Sequence, residues 1–360
     1  MPRVSTIAII ALDEFRHVTA ATGDPVMAAS LAEHPEWIEL GMRVEAIPER
    51  APEIELSPGL AMPGGEFSFI WINPFGRIAC VRWSRDCTVD ELAATNWAAH
   101  WRYSWKAVTD AWPSMASAHK LPKQDWLFAF TVVEGTTSEM QGPTAIARTL
   151  PGATARMDAD GMSIGLGWNG ALIVRAVDSC ETDVDAILAI ATIMSLRWQV
   201  ETHALRRIRK LLGNDQRREN RDTQTANIVA IARHVYNAQT TLEPSVFCIY
   251  GSDELVARSF DEGWGAEKLS ERVSAAIQRM SEANELDTRI QLRQSGHSQA
   301  RSLFLLTMIG VCGTMAGVLS AVDFRNAIFS SETMRVIMLT GGTMVLAAVA
   351  ILAQRSRTSS

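Results

Sequence analysis

Five small or hydroxylated residues lie at helical spacing near the C-terminal end of the chain. Thr307, Gly310, Thr314, Gly317 and Ala321 step by 3, 4, 3 and 4 and so share one face of a helix. Gly313 and Gly317 add a GxxxG pair. Two kinds of chemistry fit such a stripe. It can be a packing face, because small residues let helix backbones approach closely in lipid. It can also line a path for cations, because a ring of hydroxyls and carbonyls replaces part of an ion's hydration shell. The two coincide if copies of the helix surround one axis. Asp323 follows the stripe. One carboxylate per copy would form an anionic ring at the mouth of the path and hold a divalent metal; an ordinary loop charge is the alternative.

Other candidate chemistry is weaker. Gly161-Met162-Ser163-Ile164-Gly165 has the form of a nucleophile elbow, but a Trp-Asn-Gly turn and a further apolar run follow where a helix is needed. Ser117 and Lys120 match S-x-x-K without partner motifs. Asp158 and Asp160 resemble the start of a calcium loop, yet Asn169 stands where a bidentate Glu belongs. Asp178, Glu181, Asp183 and Asp185 gather at a helix start, where acids complement the helix dipole; regulatory metal is the other option. Trp97, Trp101, Trp105 and Trp112, with His100 beside them, suggest core or subunit contact. Arg206, Arg207, Arg209, Lys210, Arg217, Arg218 and Arg221 form a basic block, read as a solvated face or a phosphate contact. The five cysteines contain no CxxC pair. With no phosphate loop, HExxH or dinucleotide fingerprint, an enzyme is not expected, nor is a resident cofactor.

The elements that would position the stripe are legible as patterns. Two runs lack charge altogether, Ser302–Val322 with 21 residues and Val336–Gln354 with 19. A bilayer core of roughly 30 Å needs about 20 helical residues, so both runs are expected to span. Arg289, Arg293, Arg301, Arg355 and Arg357 flank the pair on one side, and Arg325 and Arg335 lie between the runs. That bias places both termini in the cytosol of a multi-pass protein of the inner membrane. Net charge is −6 over 360 residues, which argues against nucleic acid as a partner.

Upstream, residues 1–180 read as a cytosolic α/β domain. Ser5–Leu12 is an apolar strand. Phe67–Asn73 and Arg77–Trp83 form a hairpin, Trp126–Glu134 is a strand, and Met162–Gly167 and Ala171–Ala176 flank an Asn-Gly turn. Thr88 and Glu91 form a capping box for a helix that Pro113 should end. Residues 181–301 read as a helical domain and stalk: Thr182-Asp183-Val184-Asp185 is a cap-like start for a helix that Gly213 stops, and a second helix covers Asp222–Leu242. A last helix starts near Ala266, with a heptad-like seam of Leu269, Val273, Ala276, Met280, Ala283, Asp287 and Ile290. The expected order is then span 302–322, external loop 323–335, span 336–354 and cytosolic tail 355–360.

An α+β cytosolic domain, helices, one long helix entering the first of two closely spaced C-terminal spans, and a short tail: this order resembles the CorA family of divalent-cation channels. The matching stretch is Leu303 to Phe324, ending Ser320-Ala321-Val322-Asp323-Phe324. The family's Phe is in place as Phe324. Ala321, Val322 and Asp323 stand where the family has Gly-Met-Asn, and the family's Pro is missing. The resemblance implies a homo-oligomer, a pentamer if the likeness holds, passing Mg²⁺ or another divalent cation along its first spans. A membrane-anchored sensory or signalling protein with a ligand-binding α/β domain is the alternative.

Overall fold

The computed structural model describes residues 1–12, 37, 40–57, 60–72, 75–118, 124–159, 161–213, 221–321 and 341. Two compact units are present, Met1–Ala283 and Asn284–Ser360.

The first unit is built on β1 (Arg3–Leu12), an Ile-rich strand buried on both faces after Arg3. Such a strand must sit inside a sheet with layers on either side. It does: an eight-stranded sheet runs in the order β2-β5-β6-β1-β7-β10-β9-β8. Here β2 is Met42–Arg50, β5 Glu66–Ile72, β6 Gly76–Asp86, β7 Gln124–Gly135, β8 Ala155–Ala159, β9 Met162–Gly167 and β10 Gly170–Ala176. All pairs are antiparallel except β7 with β10. A small ribbon pairs β3 (Ile54–Ser57) with β4 (Leu60–Met62).

The period-2 alternation of β1 divides the core. Ile7 and Ile9 join Phe128, Phe130 and Ile173 under α4 (Val184–Gly213) and α7 (Gly251–Trp264). Val4, Ala8 and Ile10 join Trp83, Trp101 and Val133 under α2 (Trp97–Ala118). Burying each large apolar side chain contributes about 1.5–3 kcal/mol. Phe128 anchors α7 to the sheet, meeting Trp264 edge-on at 5.0 Å between ring centroids and Phe260 at 5.9 Å. On the opposite face Trp101 packs over Gly170, where a Cβ would fall onto the indole ring.

Helix starts follow local chemistry. Thr88 and Glu91 make the expected capping box before α1 (Val89–Ala94): the Glu91 amide donates to Thr88 Oγ1 at 3.2 Å, and the Thr88 amide donates to Glu91 Oε2 at 2.6 Å. The helix does not continue from there to Pro113. It breaks at Thr95, and Asn96 supplies a second cap by accepting from the Ala99 amide at 3.1 Å. Pro113 lies inside α2, which runs on to Ala118. Proline removes one ladder donor without stopping this helix, because Trp112 and Met115 are buried on either side of it. The remaining helices of this unit are α3 (Gln141–Arg148), α5 (Arg221–Thr241), the short α6 (Pro244–Phe247) and the start of α8 (Ala266–Ala321). Gly265 separates α7 from α8 in a left-handed conformation, φ 61°, which a side chain disfavours.

The expectation of two C-terminal transmembrane helices after an α+β domain is not borne out. Among the described residues no helix is long and apolar enough to cross a membrane. With 56 residues α8 has ample length, but charged residues recur along it from Glu267 to Arg301. That polarity keeps residues 266–301 out of hydrocarbon. The run 336–354 lies outside the described residues apart from the helical Gly341. What is present is an α/β fold with a large mixed sheet and helices on both of its faces.

Candidate functional site

The stripe residues Thr307, Gly310, Thr314, Gly317 and Ala321 all fall within α8, as their spacing requires. Thr307 and Gly310 are exposed. Thr307 Oγ1 donates to the Leu303 carbonyl one turn back, at 2.7 Å. A single copy therefore satisfies that hydroxyl by itself, the usual solution for a mid-helix Thr. A Cβ added at Gly310 would meet nothing within 4 Å. Leu303 and Leu306 beside them are also exposed. Asp323 lies outside the described residues.

Earlier in α8 the seam is a core element. Val273 and Met280 are buried against Ile208 of α4 and Ile228, Ile231 and Val235 of α5, with Leu269 and Ala276 packed beside them. Past that point Ala283, Leu286 and Ile290 are exposed.

The helix carrying the stripe is also tied to α4 by charge. Glu201 of α4 is fully buried. Its Oε1 accepts from Ser270 Oγ of α8 at 2.5 Å and from Gln239 Nε2 of α5 at 3.2 Å. One turn back on α4, Arg197 places Nε 3.9 Å from Glu201 Oε1 and Nη1 3.6 Å from Asp261 Oδ2 of α7. Four helices thus meet at one guanidinium and two carboxylates. Both ion pairs are long, and the group is incompletely satisfied. Glu201 Oε2, Asp261 Oδ1 and Arg197 Nε are buried with no hydrogen-bond partner among the described residues. Burial pushes the Asp261 carboxyl above the ordinary carboxylate range. Arg197 pulls it back, and the charges of Glu201 and Glu267 push it further up. Sequence reasoning passed over this junction. Its one local signal is the i,i+4 pair of Arg197 and Glu201 inside the buried run of α4; Asp261 arrives from 60 positions away in sequence.

The other candidates resolve into structure. Ser163 lies within β9, followed by β10, so no nucleophile elbow forms. Asp158 pairs with Arg148 at 3.0 Å and accepts from Ser163. The four acids near residue 180 do not converge. Asp178 accepts from the Thr137 amide and hydroxyl, Asp183 accepts from the Ala186 amide, Asp185 pairs with Arg82 at 2.7 Å, and Glu181 faces solvent. Among the described residues no group of three His, Cys, Asp or Glu side chains is placed to hold a metal ion. Burial raises the thiols of Cys80, to about 11, of Cys248, to about 12, and of Cys87. These three therefore stay protonated and are poor nucleophiles. Of the basic block, Arg206, Arg207, Arg209 and Lys210 are exposed on α4, with Arg207 donating to Asn227 at 3.4 Å.

Three of the four expected indoles are core. Trp97, Trp101 and Trp112 are buried, whereas Trp105 is 47% exposed. His100 is buried between them and bonds Thr6 Oγ1 through Nε2 at 2.8 Å; Thr6 in turn bonds Thr131 at 3.1 Å, which accepts from Trp101 Nε1 at 3.1 Å. Burial pushes the imidazole down to about 3, so it is neutral at physiological pH.

Comparison of the chain with protein-family models, with curated proteins and with solved structures gives no match.

Proposed function

We propose that this chain is a CorA-like protein that passes divalent cations at the inner membrane as a homo-oligomer, with a pentamer as the preferred state. In this account copies of the C-terminal part of α8 surround the path, presenting Thr307, Gly310, Thr314, Gly317 and Ala321, and Asp323 gathers cations at its mouth. The α/β body is the regulatory part and acts on the path through α8. A potential that is negative inside draws a cation inward by about 2.3 kcal/mol per charge per 100 mV, so no enzymatic coupling is required.

One observation carries the reading. A single 56-residue helix begins in the core of the body and ends in the small-residue stripe. A charged junction of four helices grips its first turns. The uncharged sequence around the stripe supports a membrane setting. Uptake of Mg²⁺, Co²⁺, Ni²⁺ or Zn²⁺ into vesicles containing the purified protein tests it. Flux that Thr314→Leu reduces supports the path; absence of flux for all four ions, or flux indifferent to Thr314→Leu, removes it. In the latter case the body is better read as a ligand sensor.

A further inference from the structure

We propose that Arg197, Glu201 and Asp261 form a proton-operated clamp on the first turns of α8, closed when Asp261 is protonated and loosened when it ionises. The inference stands on the junction's geometry and holds whether or not cations pass along α8.

Glu201 is the fixed member. It is fully buried, and it holds α8 through Ser270 and α5 through Gln239. A buried carboxylate needs a compensating cation, and Arg197 on the same helix supplies one. Asp261 competes for that cation from α7. At 3.9 and 3.6 Å the guanidinium lies between the two carboxylates and makes a full hydrogen bond to neither. One positive charge against two negative ones leaves the junction with a surplus negative charge in a partly dry place. Uptake of one proton by Asp261 removes that surplus and leaves Arg197 to Glu201 alone. The Glu201 charge is then compensated where it is buried, which stabilises the closed junction of α4, α5 and α8. Loss of the proton draws Arg197 toward Asp261 and leaves Glu201 supported by two neutral donors.

The neighbouring elements agree with this assignment. From α4, Arg197 and Glu201 face Asp261; from α8, Glu267 adds a third carboxylate and opposes ionisation. The strands β8 and β9 also pack on α7. On β8, Arg156 donates to the Leu150 carbonyl and Asp158 is held by Arg148 and Ser163, and β9 carries no charged residue. The sign follows from linkage. Asp261 binds its proton more tightly in the closed state than in an opened one, so closure is favoured as pH falls and weakened as pH rises. The window extends from the ordinary Asp value of 3.8 up to the raised value in the closed state.

Amide hydrogen exchange over residues 266–280 of the full chain, corrected for the intrinsic pH dependence of exchange, reads the clamp. Protection should rise as pH is lowered through that window, by up to about tenfold per pH unit. Asp261→Asn keeps the shape without the charge; its protection should be high and independent of pH. Glu201→Gln should lower protection and flatten the dependence. An Asp261→Asn protein with the same pH dependence as the wild type overturns the proposal. A carboxyl-carbon NMR titration of Asp261 in the wild type gives a second reading that needs no variant to fold. Titration above 3.8 that moves down in Glu201→Gln supports the clamp, and titration at the ordinary value overturns it.

Discussion

Two buried polar groups in the first unit answer acid in opposite ways. Between the sheet and α2, His100, Thr6, Thr131 and Trp101 form a chain of neutral hydrogen bonds. Between α4, α5, α7 and α8, Arg197, Glu201 and Asp261 form a charged group with orphaned atoms. The first is built from partners that need no proton change and excludes the charged imidazole. The second carries more negative than positive charge and favours a proton. His100, held down at about 3, binds its proton in the unfolded chain near 6.5 but not in the folded one. Its contribution to stability is complete above 6.5 and is lost as pH falls toward 3. Asp261 works the other way over its own window. A neutral network that excludes the proton therefore stabilises one arrangement, while an incompletely compensated charged one can respond to conditions. The second group also holds the first turns of α8, the helix that carries the stripe.

Breaking the charged group should have the largest effect. Arg197→Met leaves two carboxylates without their cation and should cost about 3–5 kcal/mol, read as a lower urea midpoint. Acid comes next. While only the unfolded chain takes up the His100 proton, stability should fall by about 1.4 kcal/mol per pH unit below 6.5, and His100→Gln should remove that slope in unfolding curves taken across the range. Thr6→Val strips the imidazole and Thr131 of a partner in a dry site. A loss of about 1–3 kcal/mol is expected, with no change in the exchange of α8. If Thr6→Val altered exchange in α8, the two regions would not be independent. Thr88→Ala, outside both, should cost about 1 kcal/mol through the lost cap and serves as the reference.

Legibility in the sequence followed the range of the interactions. The strands β1, β5, β6, β7, β9 and β10 announced themselves through apolar runs and turn dipeptides, and the capping box of Thr88 and Glu91 is local by construction. The edge strands β2 and β8 and the β3-β4 ribbon are short or mixed in polarity, and they form because a sheet is present to receive them. Pro113 misled because burial around it outweighs one missing donor. The heptad-like seam was legible as far as Met280, where α4 and α5 cover it, and Ile290 beyond is exposed. The two expected spans met a different fate. Length and lack of charge are properties of a window, but among the described residues no helix is long and apolar enough to cross a membrane, and the second run lies outside them apart from Gly341. The ionic junction was hidden because its members come from four helices, and no local pattern links Arg197 to Asp261.

The mass of the intact complex in mild detergent tests the central claim most directly. A path bounded by copies of one helix requires several copies, so a particle near five times the 39.5 kDa chain is predicted, detergent discounted. A monomer or dimer that persists at high protein concentration cannot enclose such a path and would contradict the account.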